Sequence, residues 1–252
     1  MSARFAELGW AQTPIGEVSL RRRIDPGTSA EVYEVKLGDE YLMSSMFTVA
    51  EEELARLGLA ALGDRPIDVV VGGLGLGYTA RAVLTDRRVR SLVVVEYLEA
   101  VIGWHRGELL PDAAAVVADP RATLLHADFF DLLRRDAGFD PGDPARRFHA
   151  ILVDIDHSPA NLLHPGHADL YTVAGLGRLA ARLHPGGVFG LWSDDPPEDG
   201  FRAALGEVFA TVAAQVVTFA NPLTGGQSAN TVYVATTQPV PDDRGLASGP
   251  PL

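Results

Sequence analysis

The run Val69-Val70-Val71-Gly72-Gly73-Leu74-Gly75-Leu76-Gly77-Tyr78 decides the fold. Three β-branched residues in succession read as a strand buried on both faces, and a strand emptying into glycines that open a helix is the entry to a parallel α/β sheet. Such a turn lets the backbone approach a ligand closely and aims the free N–H groups of the helix start at it. The spacing, Gly73-x-Gly75-x-Gly77, departs from the G-x-G-x-x-G of a dinucleotide site, and no Gly-Lys-Ser/Thr follows as in a P-loop. A pyrophosphate is therefore not the favoured ligand. The alternative is a turn whose glycines serve only close packing of strand on helix.

Beyond the turn, apolar runs alternate with helical patterns. Strands are expected at 67–71, 91–95, 123–125, 150–153, 188–192, 215–219 and 231–235, and helices at 78–84, 98–110, 129–135, 170–183 and 201–209. This alternation predicts an α/β, Rossmann-like fold, its sheet mostly parallel and covered on both faces. The last two strands follow each other without a helix and are expected to pair antiparallel. Before the turn, short runs at 19–23, 32–37 and 41–43, separated by Asp25-Pro26-Gly27 and Gly38-Asp39, predict a small antiparallel β element within residues 1–47. Thr48 and Glu51 read as a capping box opening a helix over 48–62, so the Rossmann-like domain takes 48–237. Residues 238–252, rich in Pro, Asp, Gly and Ser, are expected to be disordered.

Acidic residues mark the strand ends. The second strand ends at Glu96, nineteen residues after Gly77, where a carboxylate can accept both hydroxyls of a ribose. The third leads into His126-Ala127-Asp128-Phe129, an acid and an aromatic suited to the edge and face of an adenine, unless Asp128 only caps the following helix. The fourth ends in Asp154. All of these fall on the edge where open α/β sheets bind ligands.

Composition excludes several classes. With 33 acidic and 21 basic residues among 252, the net charge is -12, and Lys36 is the sole lysine among scattered arginines. No basic stripe exists to neutralise phosphates, which argues against nucleic acid. The absence of cysteine excludes disulfides, thiolate catalysis and Cys-ligated metals. No segment approaches the roughly 20 apolar residues of a membrane span, and the N-terminus lacks a signal-type pattern, so the reading is a cytoplasmic protein without a membrane partner.

On the glycine turn GGLGLG, the strand VVVEYLEAVI and the segment HADFF, residues 67–192 resemble the class I S-adenosylmethionine-dependent methyltransferases. The short N-terminal strands, Asp119-Pro120-Arg121 and AILVDIDHSP extend the resemblance over residues 15–236 to the spermidine synthase branch. It implies S-adenosylmethionine or its decarboxylated form as donor, bound by Gly73, Gly75, Gly77, Tyr78, Glu96, Tyr97, Asp128, Phe129 and Asp154. It also implies a small-molecule acceptor, a homodimer, and Asp154 as catalytic base, with His157 and Tyr171 as the next candidates at the same sheet edge.

Three departures bear on the reaction. Aminopropyl-transferring members usually carry G-G-G-D-G-G, whose Asp faces the amine of the decarboxylated donor, and here Gly75 stands in its place. Their D-S-S-D-P segment reads DIDHSP, with His157 or a one-residue insertion at the second Asp, and the acceptor segment carries Leu42, Met46, Phe47 and Glu51. Loss of the acid removes an attraction for the decarboxylated donor and a repulsion against the carboxylate of the intact one. The expectation is therefore methyl transfer from S-adenosylmethionine to a small nucleophile. Aminopropyl transfer from the decarboxylated donor to a polyamine is the alternative, and a non-catalytic nucleoside-binding subunit a third. His164-x-x-His167-x-Asp169, with Asp154, Asp156 and His157, gathers metal-ligand chemistry but matches no metal motif, so no metal is expected. Trp192-Ser193-Asp194-Asp195-Pro196 reads as a capped turn.

Overall fold

Four strands open the chain: β1 (Phe5–Thr13), β2 (Gly16–Ile24), β3 (Glu31–Leu37) and β4 (Glu40–Ser44), paired antiparallel in that order in a computed structural model that describes residues 4–239. The sequence predicts three strands here, and β1 is the addition. Its residues alternate between exposed and half-buried without a solid apolar face, and it pairs with β2 alone, from Phe5 opposite Arg23 to Thr13 opposite Gly16. The inner strands carry the packing, through the buried Val18, Leu20, Val32 and Val35.

Helix α1 (Val49–Ala60) links this sheet to the main one and buries Ala50, Leu54, Ala55, Gly58 and Leu59. The expected capping box is not formed. Thr48 sits at the N-cap with φ -126° and ψ -3°, outside the extended region a capping side chain favours, and makes no side-chain bond to the helix. Glu51 lines a cavity instead.

The remainder runs β5 (Ile67–Gly72), α2 (Tyr78–Thr85), β6 (Val89–Glu96), α3 (Glu99–Arg106), α4 (Ala114–Val117), β7 (Ala122–His126), α5 (Phe129–Arg134), β8 (Phe148–Val153), α6 (Val173–Ala181), β9 (Leu183–Ser193), α7 (Asp199–Val208), β10 (Thr211–Asn221) and β11 (Gly226–Thr236). The strands form one sheet in the order β10-β11-β9-β8-β5-β6-β7. Strands β5 to β9 run parallel, while β11 lies antiparallel to both β9 and β10. From residue 240 onward, the tail expected to be disordered lies outside the described residues.

Strand period places alternate residues in two apolar layers. Val69, Val71, Val94 and Leu152 join Leu54 and Leu59 on one face, and Val70, Val93, Ile151 and Val153 join Phe129, Phe139, Leu176 and Leu179 on the other. Each fully buried side chain of this size contributes about 1.5–3 kcal/mol. Because β5 is flanked by β6 on one side and β8 on the other, the chain reverses its winding there, and a crevice opens at the C-terminal ends of these strands.

Candidate active site

The glycine turn at the head of β5 is shaped by contacts no other residue would permit. Gly73 has φ +93°, and a Cβ there would stand 2.1 Å from the Asp154 carbonyl oxygen. Gly75 has φ +49°, and a Cβ would meet the Met43 sulfur at 2.6 Å. Met43, on β4, thus fills the space that a side chain at position 75 would need. Glu96 pins the turn: one carboxylate oxygen accepts from the Leu74 amide (2.9 Å) and the other from the Leu98 amide (2.7 Å). Burial raises its pKa and these amides oppose the rise.

Two cavities meet at this edge. The smaller, of about 180 Å³, is bordered by Gly73, Glu96, Tyr97, Asp128 and Phe129. The larger, of about 600 Å³, is bordered by Phe47, Glu51, Tyr78, Trp192, Asp194 and Phe219 among others. Leu42, Met43, Gly75, Asp154 and Ile155 border both. Gly77 lines the larger cavity. Seven of the nine residues expected to hold the donor therefore border the smaller cavity, with Tyr78 and Gly77 on the larger. Asp128 caps α5, one of its oxygens accepting from the Phe130 and Asp131 amides at 2.8 and 3.0 Å, and it also borders the smaller cavity. Phe129 is pressed beneath Gly72, where a Cβ would stand 2.9 Å from its ring.

Asp154, at the junction, accepts a hydrogen bond from the Thr79 hydroxyl at 2.7 Å. Burial pushes its pKa up to about 6 against that bond. Glu51 is pushed up to about 8, first by burial and then by the charges of Asp154, Glu52 and Asp194. Asp194 accepts from the Asn230 amide at 2.6 Å, and the Glu34 carboxylate is taken up by Arg21 and Arg23 at 2.8 and 2.9 Å. The larger cavity thus combines aromatic walls with the carboxyls of Glu51, Asp154 and Asp194, which pair with no cation among the described residues, a surface complementary to an alkylammonium ion.

His157 borders the larger cavity, its Nε2 3.1 Å from a Glu40 carboxylate oxygen on β4. Tyr171 borders neither cavity, and its hydroxyl donates to Asp156 at 2.8 Å. The other Asp156 oxygen accepts from the Leu163 amide (2.8 Å) and lies 2.7 Å from His167 Nδ1. Asp156 is 2% exposed, so this network straps the loop after β8 from within. His167 stacks on Phe130 at 3.7 Å, His164 accepts from the Gly166 amide, and Asp169 pairs with Arg178. These separate attachments scatter the loop's ligand chemistry, and among the described residues no group of three or more His, Asp or Glu is placed to hold a metal.

Sequence reasoning missed the roles of Thr79, Trp192, Asp194, Phe219 and Asn230 as walls or braces of the site, and it read Glu51 both as a cap and, by resemblance, as part of the acceptor segment. The signal for Glu51 was its helical phase: it precedes Leu54 and Ala55 by three and four residues, and both are fully buried. Nothing local ties Asn230 to Asp194, which lie 36 residues apart.

No protein-family model matches the chain. It is 31% identical over 156 residues to polyamine aminopropyltransferase 2 of Pseudomonas aeruginosa, covering 59% of this chain and 41% of that protein. It is 35% identical over 120 residues to a polyamine aminopropyltransferase of Corynebacterium efficiens, covering 47% and 21%. The matches thus span less than half the length of these relatives. Among solved structures, spermidine synthase from Thermotoga maritima matches with a TM-score of 0.68 at 20% identity, over 91% of this chain and 72% of that one. A spermidine synthase in complex with the transition-state analogue AdoDATO matches with a TM-score of 0.69 at 20% identity, over 91% and 73%. At these identities the likeness carries the fold. Methyl transfer, expected from the loss of one acid at Gly75, is overturned by these relatives, which are aminopropyltransferases. Across the cleft, Glu51 and Asp194 add acids that the turn alone does not reveal. The chain has a spermidine synthase-like fold, placed among the class I methyltransferase-like Rossmann proteins, with homologues among the polyamine aminopropyltransferases.

Proposed function

We propose that the protein is an aminopropyltransferase: it binds decarboxylated S-adenosylmethionine with the nucleoside in the smaller cavity, and transfers the aminopropyl group to a primary amine of the polyamine class in the larger one. The observation that carries this reading is the position of Asp154, which borders both cavities and stands among Glu51 and Asp194. An amine enters as its ammonium form and must lose one proton before its nitrogen lone pair can attack the propyl carbon. As the new C–N bond forms, the C–S bond breaks, its electron pair passes to sulfur, and neutral methylthioadenosine leaves. Asp154 receives the proton. A carboxyl titrating near 6 holds it better than an ordinary aspartate, which narrows the gap to the ammonium and favours general-base transfer. The aromatic walls exclude water, and Glu96 with the Leu74 and Leu98 amides fixes the turn against which the ribose would rest.

Such a donor ends in an ammonium, and carboxyls of the larger cavity supply the attraction that Gly75 does not. Titration with decarboxylated S-adenosylmethionine, methylthioadenosine, intact S-adenosylmethionine and S-adenosylhomocysteine tests the donor. The decarboxylated pair should bind tighter than the intact pair, and the reverse order would sink the reading. The homodimer implied by the resemblance is tested by the mass of the protein in solution.

A further inference from the structure

His105, on α3, is 1% exposed and borders neither cavity. It lies one turn beyond Val101 and Ile102, so the apolar phase of α3 presses it inward with them, against the glycine turn. Its Nε2 is 2.9 Å from the Gly75 carbonyl oxygen, and since a carbonyl only accepts, that nitrogen carries the proton and donates. Its Nδ1 is then a bare lone pair, buried without a partner among the described residues. Burial accordingly holds the imidazole's pKa below its ordinary value. The ring also closes on Gly77, where a Cβ would stand 2.9 Å from the ring carbon between the two nitrogens. A ring with one unmet nitrogen is a costly way to fill a space that an apolar side chain could occupy.

The turn needs fastening. Gly73, Gly75 and Gly77 all have left-handed φ, of +93°, +49° and +90°, and the freedom that lets glycine adopt such values also lets the peptides between them rotate. From the end of β6, the Glu96 carboxylate holds the Leu74 amide at 2.9 Å. Within the turn, the Gly77 amide donates to the Leu74 carbonyl at 2.7 Å. His105 holds the peptide between these two fastenings, Gly75 to Leu76, by its oxygen. In a planar trans peptide the N–H lies opposite the C=O, so the Leu76 amide is turned away from His105. That amide finds no acceptor among the described residues, and Leu76 borders the larger cavity.

Resting on the proposed donor site, we propose that His105 is a positioning residue: by donating to the Gly75 carbonyl it locks the peptide between Gly75 and Leu76 and keeps the glycine turn in the arrangement that receives the nucleoside. It touches no substrate. An unfastened turn populates other arrangements, and the apparent donor affinity falls with the fraction left in the competent one.

The test compares wild type with His105→Leu, which fills the space without a donor, and with His105→Gln, whose side-chain amide can place an N–H near the position of Nε2. Calorimetric titration reads methylthioadenosine affinity, and hydrogen exchange reads the Gly77 amide that closes the turn. His105→Leu should bind methylthioadenosine about 5- to 50-fold more weakly and exchange the Gly77 amide at least about fivefold faster, while His105→Gln recovers both to within about threefold of wild type. A ring that only packed would give no such recovery. In wild type near neutral pH, the imidazole nitrogen NMR signals of His105, assigned by their loss from the variants, should show a protonated Nε2 and a bare Nδ1. Equal affinity and exchange in wild type and His105→Leu, no recovery in His105→Gln, or a proton on Nδ1 with Nε2 bare would each overturn the assignment. Should His105→Leu fail to fold, the wild-type tautomer and the exchange rate in His105→Gln decide. If wild type binds neither methylthioadenosine nor decarboxylated S-adenosylmethionine, the donor reading falls, and the exchange and tautomer results still decide whether His105 holds the turn.

Discussion

Glu51→Gln should stabilise the protein, and by more as the pH rises. In the unfolded chain Glu51 ionises near 4.5, and in the fold near 8, because the cavity wall and the Asp154 charge oppose its ionisation. Between these values the folded state binds the proton that the unfolded state has released, so wild-type stability falls with rising pH over this window. At roughly 1.4 kcal/mol per pKa unit, the loss attributable to Glu51 is under about 1 kcal/mol at pH 5 and about 4 kcal/mol at pH 8, levelling off above about pH 9. Gln keeps the shape and removes the titration. The gap between variant and wild type should therefore widen by about 2–4 kcal/mol from pH 5 to pH 8. For a chain of this length that corresponds to about 5–10 °C in relative melting temperature. Thermal unfolding of both proteins at pH 5, 6, 7 and 8 reads it directly. A gap independent of pH, or a variant less stable than wild type at pH 8, would refute the account of Glu51 as a carboxyl held against its ionisation.

Two further substitutions probe the donor side. Glu96→Ala leaves the Leu74 and Leu98 amides without acceptors, at about 1–3 kcal/mol each, so methylthioadenosine affinity should fall at least about tenfold in a binding titration and the melting temperature should drop. Gly75→Asp meets the Met43 sulfur and a left-handed backbone, so it should destabilise by about 1–3 kcal/mol; pairing it with Met43→Ala should restore part of the loss and sharpen preference for the decarboxylated donor over the intact one, read by competition binding.

The sheet was legible because its central strands are continuous apolar runs: Val69 to Val71 and Val93 to Val95 admit no reading but burial on both faces. Glu96 and Asp128 were legible for the same reason, since a residue at the C-terminal end of a parallel strand is placed by the strand. Strand β1 was not, because Phe5–Thr13 alternates without a solid apolar side and is held by pairing rather than burial. The capping box at Glu51 was misread because Thr-x-x-Glu is the same pattern whether the carboxylate turns back to the helix start or across to a cleft, and only the Thr48 backbone decides. Asp156 illustrates the limit of local reading from the other side: its partners Leu163, His167 and Tyr171 are near in sequence, yet only the folded loop shows that they converge on it rather than on a metal. Charge at the acceptor end was under-counted because its acids come from α1 and from the loop after β9, far from the glycine turn that dominates the sequence signal.

The most direct measurement is to incubate the protein with decarboxylated S-adenosylmethionine and 1,4-diaminobutane, spermidine or n-hexylamine, and follow methylthioadenosine and the alkylated amine by mass spectrometry, with Asp154→Asn alongside. Equimolar formation of methylthioadenosine and an aminopropylated amine, slowed about 10²- to 10⁴-fold in Asp154→Asn with donor binding retained, is the predicted result. S-adenosylhomocysteine and a methylated product from the intact donor, or aminopropyl transfer undiminished in Asp154→Asn, would contradict it.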